Sequence, residues 1–216
     1  MNKVIILSIQ PRWLEKILNG EKTIEIRKSM PKCDYPIDVY LYCTYGQLLV
    51  WDNDDILGFC GHYLAGEKVN SKRGYGNQAN GKIVAKFTLN KVDKINNCGS
   101  CFEIANESYA YTNAIGNRSC LDFNDMKKYL NNGNGYAWHI DNLEIFDKPM
   151  ELREFYRNNF DEDEAKHCNC GKHCEYEDYD LQEHCGICNI DYDGANCPFV
   201  RVQRPPQSWC YAYLEE

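Results

Sequence analysis

Residues 18–29, LNGEKTIEIRKS, decide the fold. Asn19-Gly20 ends a short helix, because glycine readily adopts the left-handed backbone that closes helices. The following residues alternate in character, so that on a strand the two isoleucines point one way and Glu25 and Arg27 point the other. Since an unpaired buried charge is costly, this pattern predicts either a ligand site or ion pairs in solvent.

Short strands and helices are predicted on both sides of this segment. A buried strand at residues 4–9 precedes a helix that begins at Pro11, where proline loses no hydrogen bond. The helix has its apolar residues on one face. Alternating apolar residues predict further strands at 22–28, 37–44, 82–89 and 207–214, a second helix at 123–130, and a long strand or bent hairpin at 136–146. A glycine-rich stretch at 66–81 predicts a loop.

These elements predict an α+β chain that is mainly β, with a small β-barrel and short flanking helices, because no regular βαβ alternation is present. The barrel would comprise residues 1–157 and 199–216. An acidic, Cys/His-rich insertion at residues 158–198 would interrupt it. A length of 216 residues suits one domain with such an appendage.

The charge distribution limits the partners. The formal net charge is −8, which disfavours tight binding of duplex DNA by bulk electrostatics. Residues 1–32 nevertheless carry seven basic residues and three acids, whereas residues 158–197 carry eleven acids and two lysines. A small basic site on an acidic protein fits a short strand or one nucleotide. With no apolar run of membrane-spanning length and no signal peptide, a cytoplasmic location is expected.

The insertion is rich in possible metal ligands. Nine Cys or His residues lie within residues 167–197, and without an export signal most cysteines are expected to be thiols or metal ligands. Four such groups satisfy tetrahedral zinc, and the first choice of ligands is Cys170, Cys174, Cys185 and Cys188. The pair in Cys98-Gly99-Ser100-Cys101 is a further candidate. The alternative is an acidic segment with incidental thiols.

The chain resembles the ASCH domain family, within the PUA-like superfamily. That family shows a Leu-Ser start, a short helix and then Gly-x-Lys-x-x-Glu-x-Arg, and the four fixed positions here are Gly20, Lys22, Glu25 and Arg27. The closing segment 204–211, RPPQSWCY, is similar to a bacterial and phage branch of the family. The resemblance covers roughly residues 1–157 and 199–216.

The resemblance implies a PUA-like barrel that binds single-stranded RNA or a modified nucleotide. The implied pocket is made of residues from the start, the motif and the closing segments, namely Ser8, Gln10, Trp13, Lys22, Glu25, Arg27, Trp138 and Ser208. The cations suit a phosphate, the carboxylate can accept from a base amino group, and the rings can stack on a base. Because Lys22 is out of register with the other two charges, it can join them only from the turn before the strand.

Two alternatives remain open. Some ASCH-like proteins are hydrolases on RNA or on an acetylated nucleoside, in which case Lys22 and Glu25 would be catalytic here. The threonine nucleophile of the amidohydrolase pattern corresponds to Glu25, and Thr23 faces away from Lys22, which argues against that mechanism. The other alternative is a regulatory protein whose acidic segment 158–198 binds a protein partner.

Overall fold

The computed structural model describes residues 1–52, 55–64, 77–104, 112–158 and 199–215. The strands in these ranges are β1 Asn2–Ile9, β2 Ile24–Arg27, β3 Ile37–Cys43, β4 Gln47–Asp52, β5 Asp55–Leu64, β6 Asn77–Gln78, β7 Ile83–Leu89, β8 Val92–Asn97, β9 Phe102–Ile104, β10 Gly135–His139, β11 Asp141–Met150, β12 Tyr156–Asn158, β13 Phe199–Arg201 and β14 Trp209–Leu214. The helices are α1 Pro11–Leu18, α2 Thr112–Ser119 and α3 Phe123–Tyr129, with a 3-10 helix at Leu152–Glu154.

A seven-stranded sheet forms the centre of the described fold, in the order β11-β7-β3-β1-β14-β12-β13. Strand β1 lies between β3, to which it is parallel, and β14, to which it is antiparallel. All its residues from Val4 to Ile9 are buried, as expected of a strand covered on both faces. The last strand of the chain is thereby placed beside the first.

A second sheet, β2-β10-β8-β9, packs against one face of the central sheet. In it Glu25 lies opposite Trp138 and Arg27 lies opposite Tyr136. The isoleucines of β2 face away, into an apolar cluster with Met126 and other residues of α2, α3 and β9. A smaller sheet, β5-β4-β6, has no strand pairing with the other two sheets among the described residues.

The main core lies between the two larger sheets. Ile5, Leu7 and Ile9 of β1 contribute one face of the central sheet, and Trp138 contributes from β10. Trp209 and Tyr211 of β14 pack against this core while staying partly exposed. A separate cluster covers the opposite face of the central sheet, and it includes Tyr42.

The α+β, mainly β class predicted from the sequence is confirmed, and most predicted elements are found within one or two residues. The predicted hairpin at 136–146 is two strands that join different sheets, β10 with β2 and β11 with β7. The prediction of a closed barrel is wrong for the described residues, because each sheet has two unpaired edges. Alternation shows which face of a strand is buried, but not which strands meet.

The predicted division at residues 158–198 stays a prediction, because 159–198 lie outside the described residues. The predicted loop at 66–81 also lies largely outside them, apart from its end at 77–81. In the described parts of the chain, no helix is long and apolar enough to span a membrane.

Replacing Trp138 with alanine is expected to destabilise the fold by about 3–5 kcal/mol, because a fully buried ring leaves a cavity. The exposed Met30 provides a control, and Met30→Ala should change stability by less than about 0.5 kcal/mol. Urea denaturation followed by circular dichroism measures both. Equal effects of the two substitutions would contradict the assigned position of Trp138 in the core.

Candidate functional site

Three charged side chains meet in a buried cluster, here called the charged triad: Lys22, Glu25 and Arg27. The Lys22 Nζ atom lies 3.2 Å from Glu25 Oε2, and the Arg27 Nε atom lies 3.0 Å from Glu25 Oε1. The exposed fractions of the three side chains are 2%, 10% and 7%. They therefore do not form the solvent-exposed ion pairs that were the alternative interpretation of this sequence.

The turn between α1 and β2 places Lys22 in the triad. Gly20 has a φ of +75°, a left-handed conformation that glycine adopts without strain. The Lys22 amide then donates to the Lys16 carbonyl at 2.9 Å, which fixes the chain before β2 begins at Ile24. Lys22 thus approaches Glu25 from the turn, as its register in the sequence required.

The end of α2 accepts the Lys22 ammonium group. Nζ donates to the Ser119 carbonyl oxygen at 2.6 Å, one of the carbonyls left without an intrahelical partner at a helix C-terminus. The negative end of the helix dipole also favours a cation at this position. The Trp13 ring of α1 lies on another side, with its centroid 5.6 Å from Nζ.

Arg27 connects the triad to the central sheet. One terminal nitrogen donates to the Ser8 carbonyl at 2.8 Å, and the other donates to Ser208 Oγ at 3.1 Å. Its Nε forms an ion pair with Glu25 but no aligned hydrogen bond. Ser8 and Ser208 are themselves joined, since the Ser8 amide donates to the Ser208 carbonyl at 2.9 Å. The chain segment that leads into β14 therefore forms one wall of the site.

Tyr129, at the end of α3, is a neighbour that the sequence did not reveal. Burial raises the pKa of its hydroxyl, while Arg27, which hydrogen-bonds it, lowers that pKa in part. The residue is still 38% exposed, and Lys28 Nζ lies 5.5 Å from its ring centroid. Neither Tyr129 nor Ser119 belongs to a sequence pattern that marks a site, because both come from helices distant in the chain.

The triad carries one net positive charge. Both carboxylate oxygens of Glu25 are occupied by cations, so that one negative charge balances one of the two positive charges. An anionic ligand beside the triad would compensate the remaining charge. Charge-assisted hydrogen bonds from Arg27 would be short and directional.

The family model of the ASCH domain matches residues 7–150. This chain belongs to the ASCH domain family. The matched region contains the whole charged triad and ends before the closing segment, so the likeness of residues 204–211 to a bacterial and phage branch stays a prediction.

Solved structures of an ASCH protein from Zymomonas mobilis are similar to this chain. The structure of that protein has 12% sequence identity and a TM-score of 0.46, covering 96% of this chain and 85% of that chain. A point variant of it has 12% identity and a TM-score of 0.43, covering 70% of this chain and 77% of that chain. No curated protein matches the sequence.

The other predicted pocket residues of this ASCH domain lie at different depths. Trp13 is partly exposed beside Lys22, and Gln10 is exposed at the start of α1. The Ser8 hydroxyl donates to the Pro206 carbonyl at 2.7 Å. Trp138 is fully buried, and its indole nitrogen donates to the Ser29 carbonyl at 3.2 Å.

Trp138, one of the predicted stacking rings, is buried in the core beside the site, and its role in ligand binding stays a prediction. Tyr42 is 3% exposed on the opposite face of the central sheet, where burial raises its pKa to about 12. Aromatic composition alone does not separate a ring that packs from a ring that binds.

His139 belongs to a second polar cluster, which includes Thr23, the residue that follows Lys22 in the sequence. Its Nε2 lies 2.7 Å from Asp93 Oδ2, and its Nδ1 lies 3.4 Å from a terminal nitrogen of Arg118. Arg118 Nε also donates to Thr23 Oγ1 at 3.1 Å. The Thr23 hydroxyl therefore has a partner away from the triad, and His139 is held between two charged groups.

The predicted zinc ligands Cys170, Cys174, Cys185 and Cys188 lie outside the described residues. Among the described cysteines, Cys98 and Cys101 form a disulfide, where the sequence predicted thiols or metal ligands. Together with Glu103 they offer three ligand atoms within 4.8 Å of one another. A metal ion could bind there only after reduction, because a disulfide sulfur is not a thiolate ligand.

Glu25→Gln is expected to destabilise the fold by about 3–5 kcal/mol, because it leaves two buried cations without an opposing charge. Lys22→Met should cost less than Glu25→Gln, since a balanced Glu25–Arg27 pair remains. Urea denaturation monitored by tryptophan fluorescence gives both values.

The control for Glu25→Gln breaks an exposed ion pair of the same chemistry. Lys16 Nζ lies 2.9 Å from Glu21 Oε2, and both side chains are well exposed. Glu21→Gln should leave the denaturation midpoint nearly unchanged, because water screens such pairs. If Glu25→Gln behaved like Glu21→Gln, the triad would not be the buried unit described.

Proposed function

We propose that this ASCH protein binds single-stranded RNA or a modified nucleotide at the charged triad. The observation that carries the proposal is the buried Glu25 carboxylate held by two cations, with one positive charge in excess. Burial of three charges is expensive, and a sheet protein of this size does not need them for its core. A ligand that compensates the excess charge would explain why these three charges are buried together.

The surroundings of the triad support a nucleotide. Trp13 is partly exposed and already has two cations near its ring, Lys22 at 5.6 Å and the exposed Arg12 at 4.6 Å. A base could replace the Arg12 side chain on that ring, and stacking is worth about 1–3 kcal/mol per base. Tyr129, 38% exposed beside Arg27, offers a hydroxyl near the surface, which suits a phosphate or a base carbonyl.

The overall charge of the protein supports a short ligand. With a net charge of −8, the chain would repel the extended backbone of duplex DNA. The excess positive charge at the triad and the basic character of residues 1–32 confine the attraction to one region. Affinity for single-stranded RNA should therefore be modest and should fall with salt.

Fluorescence anisotropy with a labelled single-stranded RNA hexanucleotide of mixed sequence tests this proposal. We expect Arg27→Gln to weaken binding at least about tenfold, because charge-assisted contacts contribute roughly 1.5–3 kcal/mol. The control is Arg153→Gln, which removes the same charge from an exposed residue of the 3-10 helix. Circular dichroism establishes that both variants are folded. Wild-type affinity in folded Arg27→Gln, or no RNA binding by the wild type, would contradict the proposal.

A hydrolase that uses the same triad is the second candidate. Binding is favoured over turnover because both oxygens of Glu25 face cations and its side chain is only 10% exposed, which disfavours proton abstraction from a substrate. Product formation by the wild type that is lost in Glu25→Gln would favour the hydrolase. A regulatory role of residues 158–198 with a protein partner, and a cytoplasmic location, stay predictions.

We also propose that residues 158–198 bind structural zinc through Cys170, Cys174, Cys185 and Cys188. The support is the spacing of the thiols in a segment too polar to build a core by itself. Elemental analysis of purified protein should give about one zinc per chain, and combined Cys185→Ser and Cys188→Ser substitutions should remove it. Zinc retained by that variant, or absent from the wild type, would contradict this assignment.

A further inference from the structure

A surface cavity of about 670 Å³ lies beside the start of β1, at Lys3. The charged triad lies near the other end of β1, where Arg27 contacts Ser8. The cavity is lined by two cations, one acid and apolar residues, namely Lys3, Lys32, Cys33, Asp34, Pro36 and Ile37. Lys3 and Lys32 are exposed. The side chains of this cavity therefore carry one positive charge in excess, as the triad does.

The cavity and the triad lie on the same side of the central sheet. Side chains of β1 alternate, so that Lys3, Ile5 and Leu7 share one face. Ile5 and Leu7 belong to the core against which Trp209 and Tyr211 pack. Lys3 continues this row, and its Nζ lies 4.7 Å from the centroid of the Tyr211 ring.

Partly exposed rings occupy the interval between the two sites. Ser208 contacts Arg27, and the next residue, Trp209, lies opposite Leu7 on β1. Tyr211 follows opposite Ile5, and the ring centroids of Trp209 and Tyr211 are 5.5 Å apart. A continuous row therefore leads from the triad through Trp209 and Tyr211 to the cavity.

The Trp209 ring is held in place. Its indole nitrogen donates to Ser29 Oγ at 3.0 Å, and its ring packs edge to face against buried Trp138 at 5.5 Å. A ring that is already fixed loses little conformational entropy when a ligand stacks on it. Bases stack on such rings with little sequence preference.

We propose that the cavity at Lys3 and Lys32 is a second subsite for single-stranded RNA, joined to the triad by Trp209 and Tyr211. One nucleotide occupies the triad, the strand crosses Trp209, and a phosphate further along contacts Lys3 and Lys32. This inference rests on the proposed function and narrows its ligand to single-stranded RNA.

The distance between the two sites requires a ligand longer than one nucleotide. Ser8, whose carbonyl accepts from Arg27, and Lys3 are five residues apart on β1, which is about 16 Å at the rise of a β-strand. A single nucleotide does not reach that far. A modified mononucleotide would therefore occupy the triad alone, whereas an oligonucleotide would use both sites.

The test compares a labelled RNA hexanucleotide of mixed sequence with cytidine monophosphate on the full chain. Combined Lys3→Gln and Lys32→Gln substitutions should weaken hexanucleotide binding about tenfold, and the steepness of log affinity against log salt should fall by about 0.7, because the contact with one phosphate is lost. Binding of the mononucleotide should not change. The matched control, Lys148→Gln with Arg153→Gln, removes two exposed charges outside both sites and should leave hexanucleotide affinity within about twofold of the wild type.

Each result decides between the two proposals. Unchanged hexanucleotide binding and salt slope in the Lys3/Lys32 variant would overturn the second subsite and leave RNA binding at the triad intact. Equal weakening of the mononucleotide, or equal weakening in the control, would also overturn it. If the wild type bound neither the hexanucleotide nor cytidine monophosphate, both the second subsite and the proposed function would be overturned.

Discussion

The buried Glu25 carboxylate, held between two cations, makes the interaction on which the site depends. Each of its partners leads to a different part of the fold. Lys22 connects it to the end of α2 through the Ser119 carbonyl, and Arg27 connects it to β1 and to Ser208 before β14. A single carboxylate thus joins the second sheet, a helix end and the closing segment of the chain.

The local geometry of the triad could be predicted from the sequence. Period-two alternation placed Glu25 and Arg27 on one face of β2, and the out-of-register position of Lys22 required it to come from the turn. The same alternation gave the α+β class and most strands of the central sheet. The contact of Lys22 with the Ser119 carbonyl could not be predicted, because Ser119 lies far away in the sequence, whereas Ser208 was placed at the site only by the family resemblance.

Two elements of the structure, strand β8 and helix α2, were not predicted from the sequence. Their sequences, VDKINN and TNAIGNRS, have few apolar residues, so that neither shows a clear hydrophobic period. Trp138 was predicted to stack on a base because it is aromatic, whereas the structure buries its ring in the main core. Closure of the barrel required knowing which strand edges pair, which alternation does not contain.

Together, these features describe an acidic ASCH protein in which two small clusters of positive charge lie on the same side of the central sheet. The triad and the cavity at Lys3 each carry a small excess of cations, and partly exposed rings lie between them. A nuclear magnetic resonance titration with cytidine monophosphate tests nucleotide binding at the triad. We expect the Arg27 Nε and Trp13 indole signals to shift first, while the buried Trp138 indole signal stays nearly fixed. Binding without any shift of Arg27 Nε, with the largest shifts elsewhere in the chain, would contradict it.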